Sequence, residues 1–270
     1  MGLQGMNVVL GDIDSEQLDA AQKKLSELGI AVTTVNMDVT VLEDWDKLAQ
    51  AATAEFGKIH MLVNNAGVGG AANTIEGSKE KDWRWVLDVN LMGVMHGTCT
   101  MVPLIKEHGE GGWVINVASM AGMVGVPFAG AYTASKVAVV GMSESWHAEL
   151  APENIQVSVL CPAFVRTRIN LSQRNLQANY QEAGSEKEPK TDNLGMAKRM
   201  QEVIDAGLDP DIVGARVVEA ILAKELYIFT HPNYRAVLQH RLKAIDDAFE
   251  RAAASPLLAD VLHEPVVNFS

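Results

Sequence analysis

The chain has 270 residues, 48% of them hydrophobic, and 34 acidic against 22 basic side chains, for a net formal charge of −12. That composition suits a globular protein with a sizeable buried core, and without any Lys/Arg run it argues against a general nucleic-acid binder. No apolar stretch approaches the roughly 18–20 residues that cross a bilayer. The first residues lack the basic and apolar regions of a signal peptide. Two cysteines, Cys99 and Cys161, make no disulfide framework, so a cytoplasmic protein is expected.

Residues 7–10 read as a buried strand. Asp14 followed by Gln17 has the capping-box pattern, after which Leu18, Ala21, Leu25 and Leu28 recur at helical spacing until Gly29 stops the helix. Residues 31–37 read as a second strand, and Thr40 with Glu43 repeats the capping pattern for a helix that runs to Gly57. A third strand over 59–63 leads into Asn64-Asn65-Ala66-Gly67. Beyond it come a long helix over 79–108, a strand over 113–117, a helix over 132–150 and a strand over 155–160. A strand over 226–230 and a helix over 233–254 complete the series. Short strands buried on both faces, alternating with helices, mean an α/β fold with a parallel sheet sandwiched by helices and right-handed crossovers. One polar stretch, 166–209, breaks the rhythm, with 184–190 as its least ordered point. A connection that long inside a compact domain is a lid over a site or a disordered insertion. A lid carrying short helices, one over 194–205, is the expectation. No repeat is visible, so 1–270 reads as a single domain with 231–270 as a C-terminal extension.

The chemistry concentrates around Tyr132-Thr133-Ala134-Ser135-Lys136, with Ser119 thirteen residues upstream. Tyr132 and Lys136 at i and i+4 share one helix face. A phenol with a pKa of about 10 is a poor base at neutral pH, and a nearby cation draws that value down. Ser119 follows an apolar strand and so belongs at a strand's carboxyl end, where open α/β sheets bind ligands. Its hydroxyl can orient a substrate oxygen. Taken alone, such a Tyr-x-x-x-Lys pair is also common on helices without any catalytic role. Asp12, at the end of the first strand, is either a carboxylate for the adenosine ribose, favouring NAD over NADP, or a plain helix-entry residue.

Together these motifs resemble the short-chain dehydrogenase/reductase family over roughly residues 5–230. Asn64-Asn65-Ala66-Gly67 resembles the family's Asn-Asn-Ala-Gly motif, and Asn90 its helix asparagine. Ser119, Tyr132 and Lys136 stand in the order and spacing of its catalytic residues. Pro162-Ala163-Phe164-Val165-Arg166-Thr167 is similar to its Pro-Gly-x-x-x-Thr turn, with Ala163 where glycine is usual. The resemblance implies a Rossmann-type doubly wound parallel sheet and an NAD-dependent alcohol dehydrogenase/reductase. Tyr132 would be the acid/base, with Lys136 lowering its pKa and binding the ribose. Ser119 would orient the carbonyl and Asn90 complete a proton relay. Asp12, Asp38, Val39, Asn64, Ala66, Gly67, Tyr132, Lys136, Pro162, Val165 and Thr167 would contact the cofactor. A homodimer or homotetramer through the helices over 79–108 and 132–150 is implied, with Ala134, Ala138 and Gly141 allowing close packing there or within the subunit.

The family opens with a strand, a Thr-Gly-x-x-x-Gly-x-Gly loop and a helix, and no such run occurs here. The first β-α unit is thus expected to be absent, leaving a gap at the centre of the sheet and exposing two strand edges. The glycine loop is also what holds a pyrophosphate at a helix N-terminus, so weak folding and weak dinucleotide binding are expected of the chain as it stands. Met120, Val124, Phe128 and Phe164 flank the motifs and suit a substrate with a hydrophobic substituent, or simply pack the core. The C-terminal third is similar to bacterial members that oxidise bulky alcohols, including the Cα-dehydrogenases of lignin-derived aryl ethers. His231 reads as a substrate-mouth residue or a turn residue. No Cys or His spacing typical of a metal site appears. A non-catalytic oligomer partner and an NAD-dependent epimerase or dehydratase are the competing functions.

Overall fold

The computed structural model describes residues 1–181 and 194–267. Residues 1–230 form one compact unit and 231–270 a second. Within the first, β1 (Val8–Asp12), α1 (Ser15–Glu27), β2 (Val32–Asn36), α2 (Leu42–Phe56) and β3 (Met61–Asn64) follow in order. Then come α3 (Glu80–Leu87), α4 (Gly93–Glu107), β4 (Gly112–Val117), α5 (Gly130–Leu150), β5 (Ile155–Cys161), α6 (Leu194–Asp205), α7 (Pro210–Leu222) and β6 (Tyr227–Phe229). The stretch over 184–190 lies outside the described residues. The described flanks of that connection carry the 3-10 turns Ile169–Asn175 and Ala178–Tyr180 and helix α6.

All strand pairs are parallel. β1 pairs with β2 from Val8↔Val32 to Asp12↔Asn36, while β3, β4, β5 and β6 form a separate ladder in that order. Among the described residues no ladder joins β1 to β3. A cleft of about 950 Å³ lies there, lined by Val8 and Leu10 on one side and Met61 and Val63 on the other. The central strands β4 and β5 are buried on both faces, as crossover connections demand, whereas β1 and β2 are only half-buried or exposed. Val114 of β4 and Ile155 and Val157 of β5 pack with Trp45, Ala49, Met101 and Ile105 of α2 and α4. Neighbouring positions Ile115 and Leu160 point the other way, onto Val217, Ala220 and Ile221 of α7 and onto Ile228.

Local rules account for most boundaries. Asp14 accepts the Gln17 N–H at 3.2 Å, as its capping pattern requires. Gly29 and Gly57 close their helices at φ of +73° and +80°, where any side chain would be strained. The pattern at Thr40 and Glu43 does not cap α2. The helix starts at Leu42 with no side-chain cap, because the Thr40 hydroxyl donates to Asp38 Oδ1 at 2.8 Å while Asp44 reaches back to the Asp38 N–H at 2.9 Å. Nor is 79–108 one uninterrupted α-helix: a π-helical turn at Asp88–Met92 separates α3 from α4, a feature that clusters at functional sites.

A polar strut crosses the core between β3, β4 and the helices. Asn64 Nδ2 donates to Thr98 Oγ1 (3.1 Å) and to Asn116 Oδ1 (2.8 Å), and Asn116 Nδ2 donates to Ser143 Oγ (2.9 Å). All four residues are buried, so each hydrogen bond replaces one lost to solvent. The second unit contains α8 (Arg235–Ala253), with an i, i+4 ion pair between Lys243 and Asp247 at 2.7 Å. Replacing Asn116→Ala removes one hydrogen bond from Asn64 Nδ2, which keeps Thr98, and one from Ser143 Oγ, which keeps the Val139 carbonyl, each at about 0.5–1.5 kcal/mol. Urea unfolding should report that combined loss, and an unchanged midpoint would show the strut to be dispensable.

Candidate active site

The chain leaves β4 at Val117 and is held to the end of β5. Ala118 N–H donates to Leu160 O and Met120 N–H to Pro162 O, both at 2.8 Å. This clamp puts Ser119 at the carboxyl ends of the central strands. Its Oγ accepts the Ala121 N–H at 3.1 Å and starts the turn Met120–Gly122. That turn lies against α5 at Gly122, where an added Cβ would stand 2.6 Å from the Lys136 carbonyl oxygen. Because α5 begins at Gly130, Tyr132 sits in its first turn with Lys136 one turn on, facing the same way. The three expected residues therefore meet. The Ser119 hydroxyl hydrogen-bonds the Tyr132 phenol, and Lys136 Nζ stands 5.7 Å from the Tyr132 ring centroid.

Lys136 is 3% exposed and donates to Val117 O at 2.8 Å. Burial brings its pKa down to about 8. Burial also raises the Tyr132 phenol, and the hydrogen bond from Ser119 pulls it back part of the way. The expected lowering by Lys136 does not dominate here. Its ammonium is spent on the Val117 carbonyl and lies over the phenol ring, so desolvation decides the direction. Cys161, at the end of β5, is pushed up to about 12 by burial and stays a neutral thiol.

Asn90 occupies the π-helical turn, fully buried. Its Oδ1 accepts the Val68 N–H at 2.8 Å, and its Nδ2 donates to Val68 O at 2.9 Å and to Ser135 Oγ at 3.2 Å. The side chain thus ties the strand-end segment Ala66-Gly67-Val68 to α5. At Gly67 an added Cβ would lie 3.6 Å from Lys136 Nζ and 3.5 Å from Asn90 Oδ1, ordinary contact distances that put this backbone directly beside both side chains. Asp12 ends β1 exposed, its Oδ1 accepting the Asp14 N–H at 2.9 Å. Asp38 uses both carboxylate oxygens, one for Thr40 and the other for Gln177 Nε2 at 2.8 Å. Val39 packs on Gly93, and its carbonyl accepts Trp45 Nε1 at 3.0 Å. Pro162, Val165 and Thr167 follow β5, Val165 bridging to Leu208.

Asn64 turns its side chain into the core strut. Met120 is buried at 6% exposure, whereas Phe128 and Phe164 are exposed, Phe128 with a strained φ of +63°. His231 belongs to the second unit, where its ring meets Tyr234 edge-on at 6.0 Å. Sequence reasoning missed Ser135, the hydroxyl between Asn90 and the Tyr132 carbonyl (2.7 Å), and Ser172, whose Oγ accepts the Gly69 N–H at 3.1 Å. Ser135 lies inside the quoted motif, one residue from Lys136. Ser172 carries no local signal.

A family model described as short chain dehydrogenase matches residues 1–178. A relative described as a CLA biosynthesis dehydrogenase/reductase from Lactiplantibacillus plantarum is 30% identical over 90% of this chain and 85% of its own. A C alpha-dehydrogenase from Sphingobium is 28% identical over 94% of this chain and 82% of its own. The crystal structure of a short chain dehydrogenase/reductase from Burkholderia phymatum in complex with NAD superposes with a TM-score of 0.83 at 32% identity. It covers 98% of this chain and 89% of that one.

The buried lysine has a measurable consequence. Its folded pKa of about 8 lies below its ordinary 10.5, so between those values the unfolded chain binds more protons and stability rises with pH. The raised Tyr132 acts oppositely, and only above about pH 10. Urea unfolding from pH 7.5 to 9.5 should show a positive slope that Lys136→Met reduces. Equal slopes in the two proteins would contradict the buried-lysine assignment.

Proposed function

The chain belongs to the short-chain dehydrogenase family, and on that premise we propose that it oxidises or reduces a secondary alcohol or ketone with a hydrophobic substituent, using NAD(H). One observation carries the reading: a buried lysine, a phenol and a serine hydroxyl converge at the carboxyl end of β4. When bound, the dinucleotide supplies the hydride acceptor or donor. The rest of the chemistry falls to the chain's own residues. The Ser119 hydroxyl holds the substrate oxygen beside Tyr132 Oη. In the oxidative direction Tyr132 Oη takes the substrate's hydroxyl proton as its own phenolic proton leaves toward Lys136, and in the reductive direction the phenol gives its proton to the carbonyl oxygen. Lys136, whose pKa of about 8 lets it change protonation near neutrality, passes that proton onward. Asn90 acts as a positioning residue through Val68 and Ser135.

The residues present suit a dinucleotide in two of its three parts. Gly67, Lys136 and the turn Pro162–Thr167 suit the nicotinamide riboside, and Asp12 suits an adenosine ribose while repelling a 2′-phosphate, which favours NAD over NADP. For the pyrophosphate no glycine-rich turn occurs in the 270 residues. In this reading the cleft between β1 and β3 takes one more parallel strand, whose following loop would complete that part. The similarity to the Sphingobium C alpha-dehydrogenase and the exposed Phe128 and Phe164 support a bulky hydrophobic substituent. Exposed Ala134, Val137 and Gly141 on α5 support a homodimer or homotetramer.

Tyr132→Phe keeps the ring and its packing and removes only the hydroxyl. In NADH-monitored turnover of a bulky secondary alcohol it should lose about 10²–10⁴-fold in kcat, with an unchanged melting curve. Undiminished turnover would remove Tyr132 from the chemistry.

A further inference from the structure

At the amino ends of β3 and β4, opposite the end that carries Ser119, two imidazoles and a carboxylate meet. His60 immediately precedes β3, and its carbonyl accepts the Trp113 N–H at 2.9 Å. His108 caps α4, and Glu110 sits in the turn before β4, between Gly109 and Gly111 at φ of +71° and +77°. His60 Nε2 lies 2.7 Å from Glu110 Oε2, and His108 Nδ1 lies 3.9 Å from the same oxygen. The two rings stand 4.5 Å apart between centroids, and one ligand atom from each residue lies within 4.8 Å of the others.

Both imidazoles already hold fixed hydrogen bonds: His60 Nε2 donates its proton to Glu110 Oε2, which only accepts, and a metal ion would displace that proton. His108 Nε2 is 2.8 Å from the Ile59 carbonyl, which can only accept, so Nε2 carries the proton, and the Nδ1 lone pair accepts the Glu110 backbone N–H at 3.2 Å, a contact that a metal ion would replace. A metal-bound histidine is oriented in this way, its second ring N–H given to a backbone carbonyl. Lys58 pairs with Glu110 Oε1 at 2.5 Å and leaves Oε2 facing the imidazoles. The His108 side chain is 6% exposed, while those of His60 and Glu110 are 41% and 51% exposed. The cluster is therefore anchored on one side and open to a further ligand on the other. Two imidazole nitrogens and one carboxylate are the donors of Zn²⁺ rather than of Ca²⁺ or Mg²⁺. Tetrahedral bonds of about 2.0–2.2 Å put donors about 3.4 Å apart, so the 2.7 Å His60–Glu110 pair must open while the wider contacts close, movements open to the exposed His60 and Glu110 side chains.

We infer that His60, His108 and Glu110 form a binding site for a divalent transition-metal ion of the Zn²⁺ type, separate from the catalytic site, which fastens the start of β3 to the α4–β4 turn. The residues are 48 and 50 positions apart in sequence, so no spacing motif announces them. Zn²⁺ alone, titrated calorimetrically into the full chain, should bind at one equivalent and raise the melting temperature. Co²⁺ at the site should give the visible absorption of a low-coordinate N/O complex. His60→Ala and, separately, Glu110→Gln should each weaken binding by about a hundredfold or more, exceeding the usual effect of an outer partner. Both side chains are half exposed, and unchanged circular dichroism confirms that each variant folds. No saturable binding by the wild type up to millimolar Zn²⁺ would overturn the site, as would binding that survives both substitutions.

Discussion

A lysine ammonium almost wholly withdrawn from water and hydrogen-bonded to the last carbonyl of β4 is the constraint on which the rest of the site depends. An isolated buried charge is costly, so the structure must supply a partner and hold it still. Val117 O is that partner, fixed by the β4–β5 ladder and by the crossing hydrogen bonds of Ala118 and Met120. The same burial brings Lys136 to about 8 and raises Tyr132. A base near neutrality and a neutral phenol beside a serine hydroxyl are what reversible proton exchange with an alcohol requires.

The surroundings are rigid for a related reason. Asn90 uses the three hydrogen bonds of its amide to hold Val68 and Ser135, and the π-helical turn frees that side chain to reach them. On the other side of β3, Asn64 and Asn116 link the strands to α4 and α5 through Thr98 and Ser143. Buried polar residues in a parallel-sheet core demand partners, and the polar atoms of this strut all have one except Asn64 Oδ1. Here that requirement fixes the height of α4 and α5 relative to the strands, and with it the position of the Tyr132–Lys136 face.

How much of this was legible in the sequence depended on the range of the interaction involved. Strand 155–160 and helix 132–150 are marked by apolar runs and periodicity and appear within two residues of their expected bounds. Asp14 and Gln17 are three residues apart and cap as expected. Thr40 and Glu43 fit the same pattern, but Asp38 takes the Thr40 hydroxyl, a competition the pattern cannot show. Apolar periodicity passes through Asp88–Met92 unbroken, which hides the π-helical turn. That Ser119, Tyr132 and Lys136 meet was expected because the proposed chemistry needs fixed types at fixed spacing. The inward turn of Asn64 and the meeting of His60 with His108 and Glu110 depend on which strands become neighbours, and no local spacing encodes that.

The central claim is most directly tested by the titration of Lys136 itself. In protein carrying ¹³C at the lysine Cε, the signal absent from Lys136→Met identifies this residue, and its shift is followed from pH 6 to 11. A midpoint near 8, well separated from the surface lysines, is the result expected of an ammonium buried at the base of the site. A midpoint at the ordinary lysine value of about 10.5 would mean that Lys136 remains hydrated, and would contradict both its burial and the proton path drawn through it.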